Sequence, residues 1–203
     1  MKRLTVFVMT VLLTVFASAA LADNHGKTGK LLLFQKCDAG LIGAAGYDSV
    51  GCPLVGTGPW PAFLGNHREG KLKYSPFGKK FSFSFTGRGL LPKKSYTLIY
   101  YPDPWPGSGL ICLGSGKSSR GGSVEIHAKK DLGTGLPASY DANFNPVAPS
   151  GAVGAKIWLV LSDDVQCTAP TQLLGWNPTD YLFEYNLIVY DNRDLKARDR
   201  DDD

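Results

Sequence analysis

Lys80-Phe81-Ser82-Phe83-Ser84-Phe85-Thr86 is the stretch that decides the fold. Three phenyl rings alternate with hydroxyl side chains, and a period of two puts all three rings on one face of a β-strand. The segment reads as a half-buried antiparallel strand, because the aromatic face has to be covered and the hydroxyl face does not.

Working outward, residues 30–35, 71–74, 95–101, 109–114, 123–129, 155–161 and 181–190 also carry strand chemistry. Val124, Ile126 and Ala128 share one face. Residues 155–161 are apolar on both faces, which places that strand between layers, and 181–190 reads as one long final strand. The Gly/Ser-rich stretch 115–122 reads as the turn of a hairpin between its two neighbours. Twenty-four glycines and 13 prolines between short apolar runs signal many turns and little helix. The predicted fold is therefore all-β, a single immunoglobulin-like sandwich of about seven or eight strands. A closed β-barrel is the alternative, since periodicity does not report strand order.

At the amino end, Lys2 and Arg3 precede the apolar run 4–22, which finishes in Ala20-Leu21-Ala22 before Asp23. The short basic start, the apolar centre and the small residues at the end read as a cleavable export signal, with a retained membrane anchor as the competing reading. The expected organisation is a leader at 1–22, a β domain at 23–190 and a charged tail at 191–203. Cleavage leaves no further membrane span and points to a secreted or periplasmic protein in an oxidising compartment. The formal charge is +4, and removing Lys2 and Arg3 leaves +2. Basic and acidic residues are interspersed, which argues against nucleic acid as a partner.

Four cysteines permit three pairings. Cys37 and Cys52 bracket a small Gly/Ala-rich loop, so Cys37–Cys52 with Cys112–Cys167 minimises crossing connections. No C-x-x-C pair favours a cysteine metal site.

Two loops carry the same tip, Pro59-Trp60-Pro61 and Pro104-Trp105-Pro106. Proline on both sides stiffens the chain, so each indole is presented at little entropic cost as a sugar-stacking platform or a protein anchor. Buried, the same indoles would cap the ends of a sandwich. Trp60, Trp105, Trp176 and Tyr140 are the candidate binding residues, while Trp158, inside an apolar strand, reads as core.

Two metal readings accompany this. A mature chain beginning Asp23-Asn24-His25 offers an α-amine, two backbone amides and an imidazole in a square plane for Cu(II) or Ni(II). Asp141 and Asn143, with Asp163 or Asp164, would form a loose Ca(II) site, although Pro146 and Ala152 break the EF-hand pattern. No dedicated cofactor is otherwise implied.

Catalytic motifs are missing from the sequence: there is no G-x-S-x-G elbow and no H-E-x-x-H, and only Glu69, Glu125 and Glu184 supply glutamates. A hydrolase would have to assemble a site from loops, drawing on His127, Asp103, Asp141 and Ser115.

The segments YTLIYYPDPWPG (96–107), GAKIWLVL (154–161) and GWNPTDYLFEYNLI (175–188) resemble stretches of a family of uncharacterised secreted prokaryotic β-sandwich proteins. The resemblance implies an exported β domain and brings no activity with it. Two expectations follow. The leading one is a non-enzymatic exported module that binds a protein or glycan through its tryptophan loops; the other is an exported hydrolase.

Overall fold

Phe81, Phe83 and Phe85 all turn to the buried side of strand β3 (Phe81–Arg88), and the hydroxyls between them face outward. The structure, a computed structural model, describes residues 28–36, 67–133, 135, 136, 139, 140 and 153–192. The leader, Asp23, Asn24, His25, the Cys37–Cys52 pair, Trp60, Asp141, Asn143 and residues 193–203 of the tail lie outside the described residues.

β3 belongs to an antiparallel sheet of five strands with β1 (Gly29–Phe34), β2 (Glu69–Tyr74), β6 (Val124–Lys130) and β12 (Phe183–Glu184), in the order β12-β1-β2-β3-β6. A second antiparallel sheet has the order β5-β4-β9, built from β4 (Ser95–Tyr101), β5 (Ile111–Lys117) and β9 (Lys156–Leu161). The two sheets pack face to face, with Leu31, Leu72, Phe81, Phe85 and Ile126 of one against Tyr96, Leu98, Ile157 and Leu159 of the other. Each such ring or branched chain contributes about 1.5–3 kcal/mol by leaving water. The fold is all-β, as the alternation at 80–86 requires.

The ladder does not close into a barrel. At one edge the chain at 182–184 serves both sheets: Leu182 exchanges main-chain hydrogen bonds with Leu159 of β9, while Phe183 and Glu184 pair with Phe34 and Leu33 of β1. At the other edge, no ladder joins β5 to β6 among the described residues.

The connection between those two strands differs from the hairpin expected at 115–122. Strand β5 pairs with β4, and β6 pairs with β3, so the turn carries the chain from one sheet to the other. Glycine permits the close crossing, since a Cβ at Gly116 would lie 2.9 Å from the Glu125 carbonyl oxygen and one at Gly114 3.0 Å from Ile126 Cγ2. Side chains at those positions would hold the sheets apart. Ser119 closes the turn by accepting from the Gly121 and Ser123 amides.

The segment 181–190 is likewise not one strand. It bonds to β9 at Leu182, to β1 from Phe183 to Tyr185, and to Ala155 at Ile188, and these changes of partner break the ladder. The described fold continues to Asp191, whose amide donates to the Pro76 carbonyl.

β9 is buried on both faces, as its double apolar pattern predicts. Ile157 and Leu159 enter the core between the sheets. Trp158 and Val160 face the other way, with Ile99 and Tyr101, and are covered by Val165, Leu173, Tyr181 and Phe183. This third layer includes a hairpin of β10 (Val165–Gln166) with β11 (Gln172–Leu173), and the Cys112–Cys167 disulfide ties it to β5. A short pair, β7 (Ser139–Tyr140) with β8 (Val153–Gly154), sets Tyr140 opposite Val153.

Candidate functional site

At the end of this outer layer lies a cavity of about 600 Å³, walled by Tyr101, Trp105, Trp158, Trp176 and Phe183 and flanked by Lys36, Asp103, Lys156 and Glu184. Each wall has a local cause. Tyr101 ends β4, and its ring packs beneath Gly107, where a φ of 75° and a contact of 2.4 Å for any added Cβ both demand glycine. The next turn closes with the Gly107 amide donating to the Pro104 carbonyl, and the Leu173 amide donates to the Pro106 carbonyl. The proline-flanked loop is thereby fastened to β11.

The rings are set across one another. Tyr101 and Trp158 stack at 3.7 Å and 13°, making a double-thickness floor. Phe183 stands edge-on to Trp158 at 5.0 Å and 73°, and Trp105 meets Trp176 at 5.4 Å and 80°. Trp105 is 52% exposed and Trp176 37%, so a large part of each indole faces solvent above the buried floor. The Trp158 Nε1 proton is buried with no acceptor among the described residues. A buried donor in that state costs about 1–3 kcal/mol.

Two ion pairs border the rings. Lys156 Nζ pairs with Asp103, and Lys36 Nζ pairs with Glu184 Oε1 at 3.2 Å. The Lys156 side chain is 2% exposed, whereas the Asp103 side chain is 32% exposed. Buried ion pairs contribute little net stability against well-packed apolar residues. Burial pushes the Tyr101 hydroxyl up to about 12; the Asp103 charge adds to that shift and Lys156 opposes it.

Of the residues singled out from the sequence, Trp105 and Trp176 come together here. Tyr140 lies in the β7–β8 pair, and Trp60 is outside the described residues. Asp103 lies in the cavity wall, but His127 sits on the solvent face of β6 in the opposite sheet, its side chain 66% exposed beside Glu125. Ser115 bonds to Thr97 Oγ1 at 2.9 Å. His127 is thus not brought to Asp103. The Asp164 carboxylate is engaged by Tyr181 and Asn177, and among the described residues no three His, Cys, Asp or Glu side chains gather as a metal site.

Sequence reasoning placed Trp158 in the core, where it lies, but not in the cavity floor, and it missed Tyr101, Phe183, Lys36, Lys156 and Glu184. A signal was present: Lys156 and Glu184 each interrupt an apolar run, and a charge inside a buried strand requires a partner of opposite sign nearby. No family model, no curated protein and no solved structure matches the chain.

Proposed function

We propose that the protein is an exported glycan-binding module whose ligand enters the cavity lined by Trp105 and Trp176. The observation that carries this reading is the pairing of a concave aromatic wall with carboxylate and ammonium groups at its border. Sugar rings present apolar C–H faces to aromatic rings and hydroxyls to charged partners, and this arrangement meets both needs. A protein partner would call for a broader surface than a pocket of this size. Export is supported by the leader-like start and by the disulfide.

The test is a titration of intrinsic tryptophan fluorescence with a panel of soluble oligosaccharides and polysaccharides. Saturable quenching is expected. Trp105→Ala and Trp176→Ala should each weaken binding by about tenfold, and Trp176→Ala should also lower the unfolding midpoint, because that indole packs on Trp158, Tyr181 and Phe183. A wild-type protein that responds to no glycan would remove the reading.

A further inference from the structure

We infer that the ligand is an uncharged sugar unit taken end-on, a conclusion that rests on the glycan-binding reading above. Two observations carry it, one electrostatic and one geometric.

Among the described residues, the charges around the cavity balance, Lys36 against Glu184 and Lys156 against Asp103. A uronate or phosphorylated sugar would shed hydration on entering and meet the Asp103 carboxylate, 32% exposed, before the lysines, whose side chains are 2% and 10% exposed, with no net positive field to compensate. Neutral hydroxyls fit the same border, because each can donate to the accessible Asp103 carboxylate without bringing a charge of its own. Perpendicular rings would also suit a quaternary ammonium ion by cation–π attraction. Here the Lys36 ammonium already lies 5.7 Å from the Phe183 ring centroid, so a second cation would meet a like charge.

The geometric argument concerns the walls. Rings lying coplanar in a row match the long face of a polymer, but the 80° between Trp105 and Trp176 and the 73° between Trp158 and Phe183 leave no such row in the cavity wall. A cavity of about 600 Å³ is of small-ligand size. One terminal ring, with its chain leading out past the exposed Trp105, satisfies these walls.

The experiment titrates the full-length, disulfide-intact protein with methyl glycosides of glucose, galactose, mannose and N-acetylglucosamine, with the glucuronate and galacturonate counterparts, with choline, and with soluble neutral polysaccharides. At least one neutral methyl glycoside should quench tryptophan fluorescence saturably, and its uronate should bind at least about tenfold more weakly. Asp103→Asn, which leaves the cavity with an excess positive charge, should shift that ratio toward the uronate; the wild-type comparison stands by itself if this variant misfolds. Uronates binding as tightly as neutral glycosides would overturn the charge argument and leave glycan binding intact. Binding of polysaccharides with no methyl glycoside response would overturn the end-on mode in the same way. A response to choline alone, or to nothing, would remove the glycan reading and this inference together.

Discussion

The Tyr181 hydroxyl donates to Asp164 Oδ2 across 2.6 Å, beneath the loop that presents Trp176. The same oxygen accepts from Asn177 Nδ2 at 2.8 Å, and the Asp164 main-chain carbonyl accepts from the amides of Leu174 and Gly175. Gly175 lies so close that an added Cβ would sit 2.4 Å from Asp164 Oδ1. One aspartate therefore clasps residues 174–177 from below and fixes the height and tilt of the indole. Both burial and this hydrogen bond to the carboxylate push the Tyr181 hydroxyl well above its ordinary titration range.

Tyr181→Phe takes a hydroxyl from a buried carboxylate and keeps the ring, so the expected cost is about 1–3 kcal/mol in urea unfolding. The loop should loosen with it, shifting tryptophan emission to the red and weakening ligand binding. Unchanged stability and emission would show that Asp164 is not what holds the loop.

The Lys156–Asp103 pair predicts an asymmetry between its two truncations. Asp103 is partly exposed and regains water when its partner is lost, so Lys156→Met should cost little. Asp103→Ala takes a carboxylate from an ammonium whose side chain is 2% exposed, and its loss should be the larger of the two. Chemical denaturation of the two variants checks this, and equal losses would contradict it.

What the sequence disclosed and what it withheld follow from the range over which each signal acts. The rings of Phe81, Phe83 and Phe85, the shared face of Val124 and Ile126, and the two-sided burial of 155–161 were legible because strand periodicity is local. The Cys112–Cys167 bridge was legible from strand placement, whereas the prolines around Trp105 left open whether its indole is exposed or buried, and only the fold settles it as exposed. The crossing at 115–122 was hidden because hairpin chemistry and an inter-sheet turn share the same glycines and serines, and only tertiary contact at Gly116 separates them. The place of Trp158 in the cavity floor was hidden for a related reason. A doubly buried strand announces that both faces are covered, not that one cover ends in an open cavity.

Tyr101 gives the pH dependence a definite direction. Its hydroxyl titrates at 10.0 in an unfolded chain and is pushed up to about 12 in the fold, first by burial and then by the Asp103 charge. The folded state thus holds the proton longer, so this contribution to stability is complete below pH 10 and disappears as the pH rises through about 12. Tyr74, Tyr96, Tyr100 and Tyr190 are raised in the same sense and add to it. Unfolding free energy followed with tyrosinate absorbance should fall across that interval, with a shallower fall in Tyr101→Phe. A folded protein whose tyrosines all ionised at the ordinary value would refute the assignment.

The disulfide between Cys112 and Cys167 closes a loop with a sequence separation of 55 and joins β5 to the outer layer just after β10. By chain entropy alone such a closure is worth about 4 kcal/mol, and native disulfides of this kind deliver about 2–4. Cys112→Ser combined with Cys167→Ser should lose a comparable amount in guanidinium unfolding. The loss should not be spread evenly. The layer covering Trp158 and Tyr101 is held to the sheet by this bridge, by the bond from the Leu173 amide to Pro106, and by the Asp164 clasp, whereas the core around Phe81 and Phe85 has its own ladders. Hydrogen exchange in the double variant should therefore quicken at 165–175 before it quickens at β3 and β6, with ligand affinity falling in step. Uniform exchange across both regions would mean that the outer layer and the sandwich unfold as one unit.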